Sequence, residues 1–482
     1  MRTSPSAFAQ GVSTKNYLKN EVIAMYKIDF NNPIHAHFIG IGGISMSGLA
    51  RILLMENFTV SGSDLTQSPI TQELCDLGAK VFYGHKAENI ASEVDCVIYT
   101  AAISSDNDEL KEVLRRQIPT LTRAEFLGQI MLNYKMPIAV SGTHGKTTTT
   151  SMLSTILLKG EMDPTISVGG ILPIIKGNIK VGNSDIFITE ACEYANSFLD
   201  FNPEISIILN IEEDHLDFFD GLDSIMDTFK KFAKKLPPQG TLIINGDIKN
   251  YQHITNELDC NIITFGFSKD LDYSASNITY NDQGLVSFDC IKNGTLLDNI
   301  SLSVTGEHNA FNALASIAAA NLLGLSLDTI KAGLEDFKGA ERRFEYKGSL
   351  NGVHIIDDYA HHPTEVKVTL NAIKHYPHRE LWCVFQPHTY TRTKALFDDF
   401  VEVLSSVDHL ILTDIYAARE KNTIGICSKD LEAKIAKKGT DVKHFETFLE
   451  IENYLKENCL PGDLLITMGA GNVVNIGENL LK

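Results

Sequence analysis

The residues best placed to do chemistry stand together in Ser141-Gly142-Thr143-His144-Gly145-Lys146-Thr147-Thr148. They follow the apolar run Pro137 to Val140 and precede a stretch in which Leu153, Ile156 and Leu157 recur at helical spacing. Glycines let successive backbone N–H groups turn toward an anion, and a helix starting just after them adds its positive N-terminal end. Lys146 supplies a movable cation for phosphate oxygens, and the Thr147 hydroxyl is an oxygen ligand suited to Mg2+. Such a loop binds nucleoside triphosphates. Val140 stands where the strict phosphate-loop pattern has its first glycine, so the match rests on the order strand, Gly-Lys-Thr, amphipathic helix. The plainer alternative is a glycine turn carrying a surface lysine.

A second glycine turn, Gly40-Ile41-Gly42-Gly43-Ile44-Ser45, approximates the dinucleotide fingerprint, with Ser45 in place of the third glycine. Asp64 follows at about the ~20-residue spacing at which an acid holds a ribose. Two ligands suit this turn, an NAD-type dinucleotide and the diphosphate of a UDP-sugar, since the same helix N-terminus serves either. A turn with no ligand at all is the third alternative.

Other candidates are more dispersed. Glu190 ends the apolar run Ile186 to Thr189, where an open α/β sheet presents its ligands, and His215 sits in Glu213-Asp214-His215-Leu216-Asp217. Taken singly, each suits a hydrogen-bonding role as well as a ligating one. His308, Asn309 and Asn312 precede an alanine-rich helical stretch, where an asparagine is equally suited to capping. The planar fork of Arg343 suits phosphate oxygens, and it suits an interdomain ion pair too. Tyr359, His361, His388 and Arg392 fall on loops after two further strands.

These residues need strands to end at them and helices to begin after them. The pattern strand, glycine-rich or polar loop, 3.6-period helix opens three times, at His35 to Ile41, at Pro137 to Val140, and at Val353 to Ile356 with the loop Asp357 to Pro363. Asn133 to Pro137 is a polar hinge ending in a proline, and the helical stretch Leu327 to Phe337 stops at Lys338-Gly339. The reading is a three-domain α/β chain: an extension over 1–32, a Rossmann-like domain over 33–133, a central phosphate-loop domain over 134–338 and a second Rossmann-like domain over 339–482. The polar stretch 1–24 reads as disordered or vector-derived, with Met25 as a second plausible start.

Composition narrows the class. The 482 residues are too many for one ordinary core. The net charge of -19 disfavours nucleic acid and anionic membrane as partners, so any nucleotide must be held by a local cluster of donors. The eight cysteines form no C-x-x-C pair and read as reduced thiols of a cytoplasmic protein. No apolar run is long enough to span a membrane, and 1–32 lacks the apolar segment of a secretory signal.

Six motifs in order resemble the Mur ligase family, in its alanine-adding branch: Gly40 to Ala50, Gly142 to Thr149, Asn210 to Asp217, Gly306 to Ala313, Asp357 to Glu365 and Phe385 to Arg392. The match runs from about His35 almost to the C-terminus. The resemblance implies an N-terminal domain for UDP-N-acetylmuramate, a central ATPase domain and a C-terminal domain for L-alanine. It implies an ATP- and Mg2+-dependent ligase of peptidoglycan synthesis that phosphorylates the lactyl carboxylate and then lets the alanine amine displace phosphate. A monomer or weak homodimer is expected.

By the same resemblance Gly42, Gly43, Ile44, Ser45, Met46, Ser47 and Asp64 hold the UDP-sugar. Gly142, Thr143, His144, Gly145, Lys146, Thr147, Thr148, His308, Asn309, Asn312, Arg343 and Asp357 hold ATP, and Thr147, Glu190 and His215 hold Mg2+. Tyr359, His361, His388 and Arg392 line the amino-acid site, with Arg392 on the alanine carboxylate and His361 near the attacking amine. Lys146, Glu190, His215, His361 and Arg392 are the expected catalytic set. The chain departs from common family patterns at Cys192, Tyr194, Thr389 and Thr391. Competing readings are a ligase that adds a whole tripeptide in recycling, a folylpolyglutamate-type ligase, an NAD-dependent oxidoreductase and a non-catalytic nucleotide-binding regulator.

Overall fold

The computed structural model describes residues 27–100, 103–215, 218–418 and 420–482. The readings made for 1–24 and Met25 lie outside these residues. The chain divides into two compact units, one ending at Asn133 and the other running from Tyr134 to Lys482.

The first unit is built on strands β1 (His35–Ile39), β2 (Thr59–Asp64), β3 (Lys80–Tyr83), β4 (Cys96–Tyr99) and β5 (Thr120–Thr122), all parallel in the order β3-β2-β1-β4-β5. The order reverses between β1 and β4, which puts the loop after β1 at the switch point where open sheets take ligands. That loop is shorter than the glycine run suggests. β1 stops at Ile39 and helix α1 (Ile44–Met55) already begins at Ile44, so Ile44, Ser45, Met46 and Ser47 form its first turn.

The second unit holds two sheets. One contains β6 (Met136–Ser141), β7 (Thr165–Leu172), β8 (Gly177–Lys180), β9 (Ile186–Ala191), β10 (Ile205–Ile208), β11 (Thr241–Asn245), β12 (Asn261–Gly266), β13 (Tyr273–Tyr280), β14 (Leu285–Lys292) and β15 (Thr295–Thr305). Their order is β15-β14-β13-β12-β11-β10-β6-β9-β7-β8. β6 lies between β10 and β9, parallel to both, so its C-terminal loop emerges beside Glu190 and Asn210. Helix α2 (Lys146–Lys159) follows that loop, and helix α3 (Glu307–Leu322) follows β15. Their Leu153, Ile156, Leu157, Leu314 and Ile317 pack with Ile138, Val140 and Ile207 of the sheet in one core.

The other sheet contains β16 (Glu345–Leu350), β17 (Val353–Asp358), β18 (Leu381–Phe385), β19 (His409–Leu412), β20 (Asp441–His444) and β21 (Leu464–Met468), in the order β16-β17-β21-β18-β19-β20. Only β16 runs antiparallel to its neighbour. Both faces are covered, as parallel strands require. Ile356, Cys383 and Phe385 enter one core, while Ile355, Trp382 and Val384 enter the other. Helix α4 (Pro363–Ile373) follows β17, and α5 (Tyr390–Ala395) follows β18. No helix among the described residues is long and apolar enough to cross a membrane.

Candidate active site

In the first unit the glycine turn closes on its own acid. The Gly42 N–H donates to Asp64 Oδ2 at 2.8 Å, and a Cβ at Gly42 would come within 2.8 Å of that oxygen, so the close approach requires glycine. Ser45, the departure from the fingerprint, accepts a hydrogen bond from Arg123 at 3.2 Å. A guanidinium thus stands at the first turn of α1, where a diphosphate would meet the helix N-terminus. Sequence spacing had no means of pairing Ser45 with Arg123, 78 residues away.

In the second unit the loop Gly142 to Gly145 bends through positive φ at both glycines, and Gly145 (φ +84°) caps α2. Asn210 fastens it, accepting from the His144 N–H at 2.7 Å and donating to the His144 carbonyl at 3.0 Å. Lys146 Nζ donates to the carbonyls of Gly142 and Thr143 and lies 3.2 Å from Glu193 Oε2. Burial alone would lower the lysine, but Glu193, with Cys192 and Glu190 adding to it, outweighs burial and raises the ammonium above its ordinary range. Glu193 was not picked from the sequence. It is 2% exposed; its Oε2 faces Lys146, and its Oε1 is buried without a hydrogen-bond partner.

Thr147 Oγ1 donates to Glu190 Oε2 at 3.0 Å, while Glu190 Oε1 accepts from the Gly169 N–H at 2.5 Å. A Cβ at Gly169 would meet that carboxylate at 2.9 Å. A hydroxyl and a carboxylate oxygen side by side are donors of the kind Mg2+ takes when phosphates and water complete its shell. Among the described residues no three His, Cys, Asp or Glu side chains gather as a cation cage. His215 accordingly stands apart from a ready-made cluster. Its φ is +54°, its ring lies tilted at 42° against Tyr194 with centroids 4.6 Å apart, and its Nε2 lies 3.7 Å from Asp214 Oδ2.

A cavity of about 580 Å³ runs from the loop to the second sheet, lined by His144, His308, Asn309, Asn312, Arg343 and Asp358 among others. His308, Asn309 and Asn312 lie inside α3, whose N-cap is Gly306, so neither asparagine caps the helix. Asn309 donates to the Thr305 carbonyl at 2.7 Å, and Asn312 donates to Asn309 at 3.2 Å.

The second sheet turns two adjacent acids opposite ways. Asp357 does not reach the cavity: it is fully buried, accepting from Arg342 Nε at 2.9 Å and Thr467 Oγ1 at 2.6 Å. Successive residues of a strand face opposite ways, so the neighbour Asp358 is the one that lines the cavity. Burial raises Asp358 to about 6 against the opposing pull of Arg343.

Tyr359, His361, His388 and Arg392 do come together. Arg343 lies over the Tyr359 ring at 5.2 Å, Tyr359 meets His361 edge-on at 5.4 Å, and His361 meets His388 at 5.5 Å. Arg392 donates to His388 Nδ1 at 3.2 Å and to Asp214 Oδ1 at 3.3 Å, the latter a link to the stretch after β10. His361 Nδ1 lies 2.9 Å from the Tyr359 carbonyl, which can only accept, so Nδ1 carries the proton and the neutral ring offers its lone pair at Nε2. Burial lowers His361 below the ordinary imidazole range, against the raising effect of Glu365, and takes His388 to about 4.

Glu365 was quoted within a motif but given no role. It forms a capping box at the start of α4 and faces His144, His361 and Arg343. The pattern His362-Pro363-Thr364-Glu365 carries the capping signal, yet a contact across 221 residues leaves no local mark.

Fold and site describe a phosphate-loop α/β protein whose cavity beside that loop is completed by residues of a second open sheet. Comparison with known families agrees. The Mur ligase middle domain matches residues 140–320, the Mur ligase family catalytic domain matches 35–135, and the Mur ligase glutamate ligase domain matches 342–471. The chain belongs to the Mur ligase family. A UDP-N-acetylmuramate–L-alanine ligase of Agathobacter rectalis is 57% identical over 458 residues, covering 95% of this chain and 100% of the relative. One of Lachnoclostridium phytofermentans is 55% identical over 468 residues, with the same coverage. Among solved structures, a UDP-N-acetylmuramate–alanine ligase of Thermotoga maritima aligns with TM-score 0.78 at 28% identity, covering 93% of this chain and 98% of that one. A murein peptide ligase of Psychrobacter arcticus reaches 0.69 at 25% identity, with the same coverage.

Proposed function

We propose that this chain joins L-alanine to the lactyl carboxylate of UDP-N-acetylmuramate in peptidoglycan synthesis, at the expense of ATP and through an acyl phosphate. The observation that carries this reading is identity above half, along nearly the whole of both chains, with ligases of that name.

The chemistry follows from the reactants. A carboxylate is a poor electrophile, so its oxygen must become a leaving group before an amine attacks. In the first step a lactyl oxygen bonds to the γ-phosphorus, the bond from phosphorus to the β-bridging oxygen breaks, and ADP leaves. Anions are thereby driven together, and cations aimed at the transferring group lower the barrier. In this reading Lys146 exchanges its contacts with the loop carbonyls for the β- and γ-phosphates, and Arg343 faces the transferring group from the other side of the cavity. Thr147 and Glu190 would hold Mg2+, with His215 as a further ligand, and the ion would neutralise phosphate charge. His308, Asn309 and Asn312 surround the nucleoside. Gly42, Gly43 and the first turn of α1 receive the sugar diphosphate.

In the second step the alanine amine adds to the acyl carbon, gives up a proton and expels phosphate. Arg392 pairs with the alanine carboxylate, and His361 Nε2 accepts the amine proton, its lone pair kept available by burial. Domain limits of 33–133, 134–338 and 339–482 for sugar, ATP and amino acid belong to the same reading.

The test is phosphate release with ATP, Mg2+ and UDP-N-acetylmuramate, comparing L-alanine, the tripeptide and no acceptor. Release that depends on L-alanine is expected. Faster release with the tripeptide would reassign the chain to recycling.

A further inference from the structure

We propose that Glu365 is a positioning residue for the ligase reaction: one buried carboxylate fixes His144 as a cation at the phosphate loop and, with its other oxygen, fixes the His361 loop, so that the phosphoryl and amine sites come into register. The proposal rests on the ligase reading above.

The geometry is specific to the two oxygens. Oε1 lies 3.2 Å from His144 Nδ1 and 3.9 Å from Arg343 Nη1. Oε2 accepts from the His361 N–H at 3.1 Å and the His362 N–H at 3.3 Å, and lies 3.3 Å from His361 Nδ1. The second nitrogen of His144, Nε2, faces Glu212 Oε2 at 3.6 Å. Nδ1 is within hydrogen-bond distance of a carboxylate that can only accept, while Nε2 is buried without a hydrogen-bond partner and has the Glu212 carboxylate at ion-pair distance, so the two carboxylates together favour the protonated ring. The groups facing His144 are Glu212 on the stretch after β10, Glu365 on α4, and the His362 ring at 5.2 Å, with Arg343 beyond Glu365. Burial would lower His144, but Glu212 and Glu365 reverse it and raise the ring to about 9. Glu365 in turn is held well below the carboxylate range: burial raises it, and His361, His144 and Arg343 overcome that.

A cation in the middle of the phosphate loop, immediately before Gly145-Lys146, adds to Lys146 and Arg343 where the transferring charge develops. Because α4 supplies the carboxylate, the cation exists in full only when the second sheet is docked on the loop. His361 is oriented by the same carboxylate, so the group that accepts the amine proton is set in place together with the cation.

The experiment measures kcat/KM for ATP from pH 6 to 9.5 in the wild type, Glu365→Gln, His144→Asn and the double variant. Wild-type turnover with L-alanine establishes the ligase reading separately. Glu365→Gln keeps the shape and the N–H acceptor but removes the charge, so His144 should lose its proton at least a unit nearer neutrality. The loss should be at least about threefold at pH 8.5, grow to roughly eightfold at pH 9.5 and shrink toward pH 6. The double variant should be no worse than His144→Asn alone, because both changes remove one interaction. A loss equal at every pH, or losses that add in the double variant, would overturn the proposal. If Glu365→Gln does not fold, His144→Asn decides alone: an alkaline limb near pH 9 that persists without the histidine is equally fatal.

Discussion

Truncating Arg392 to alanine should damage alanine use far more than phosphoryl transfer. Arg392 Nη2 lies 3.3 Å from Asp214 Oδ1, and the two side chains are 13% and 12% exposed, so the guanidinium already serves a carboxylate in a partly dry site. Removing one member of a buried charge pair commonly costs ~2–5 kcal/mol. The long contact argues for the low end, since strong pairs of this kind sit nearer ~2.8 Å. Asp214 also keeps the His215 N–H at 2.7 Å. About 2 kcal/mol corresponds to roughly a thirtyfold rise in the alanine KM. Two causes would give that rise, loss of the substrate carboxylate contact and loss of the Asp214 link, and Asp214→Asn separates them. It breaks the link but leaves the cation free for alanine, so its alanine KM should stay level or fall. Acyl phosphate, trapped as hydroxamate when hydroxylamine replaces the amine, should form in both variants. If Arg392→Ala keeps its alanine KM and makes no hydroxamate, the arginine acts on the phosphoryl group and the amino-acid site lies elsewhere. If Asp214→Asn reproduces the Arg392→Ala defect, the arginine works through the link and not through the substrate.

Lys146→Ala should abolish turnover while leaving UDP-N-acetylmuramate affinity nearly unchanged, because the glycine turn at Gly42 belongs to a separate unit; calorimetry showing lost sugar-nucleotide binding would contradict the assignment. Gly145→Ala forces a side chain into φ +84° and brings its Cβ within 2.7 Å of Asn312 Oδ1. With left-handed strain of ~1–2 kcal/mol, it should lower the melting temperature and raise the ATP KM about tenfold, and an unchanged KM would remove the loop–Asn312 contact from the nucleotide site. Asp358 is raised from 3.8 to about 6 in the folded chain, so between those values the native state binds more protons than the unfolded one and stability falls as pH rises. Asp358→Asn should therefore stabilise more at pH 7.5 than at pH 4.5, by about 2 kcal/mol, and equal effects at both pH values would contradict the raised carboxyl. UDP-N-acetylmuramate should raise the melting temperature and NAD should not, since only a ligand selective for the native state stabilises it; a shift with NAD alone would overturn the sugar-nucleotide reading of the first unit.

Loops were legible in the sequence because strand, glycine turn and helix each leave a local pattern. That is why Gly142 to Gly145 turns between β6 and α2 and Glu190 falls near the end of β9, whereas the grouping of Tyr359, His361, His388 and Arg392 came from the family resemblance and not from spacing. Failures occurred where the deciding physics is not local. Asp357 and Asp358 are adjacent acids at a strand end, and only the two-faced packing of β17, with Ile355 in one core and Ile356 in the other, settles which acid meets the cavity. Asn309 and Asn312 resembled caps because α3 was expected to begin after them; it begins at Glu307, with Gly306 at φ +90° turning the chain. Glu193 and Glu365 were visible as letters but not as partners, since a carboxylate acquires its role from the cation opposite, and these cations lie 47 and 221 residues away.

The same non-local environment sorts the histidines of the cleft by charge, which no count of histidines reveals. His308 is taken to about 4 by burial, with Arg343 adding to the effect, and His388 is taken to about 4 by burial and by His361 and Arg392. His361 and His362 are lowered by burial, the second accepting the Thr364 N–H at Nδ1, which requires that nitrogen to be unprotonated. His144, also largely buried, goes the other way because a carboxylate faces each nitrogen. At neutral pH the cleft therefore has a cationic imidazole at the phosphate loop and neutral ones around His361. A reaction that first transfers an anionic phosphoryl group and then deprotonates an amine needs that division: a neutral ring at the loop would withhold charge from the first step, and a cationic ring at His361 would have no lone pair for the second.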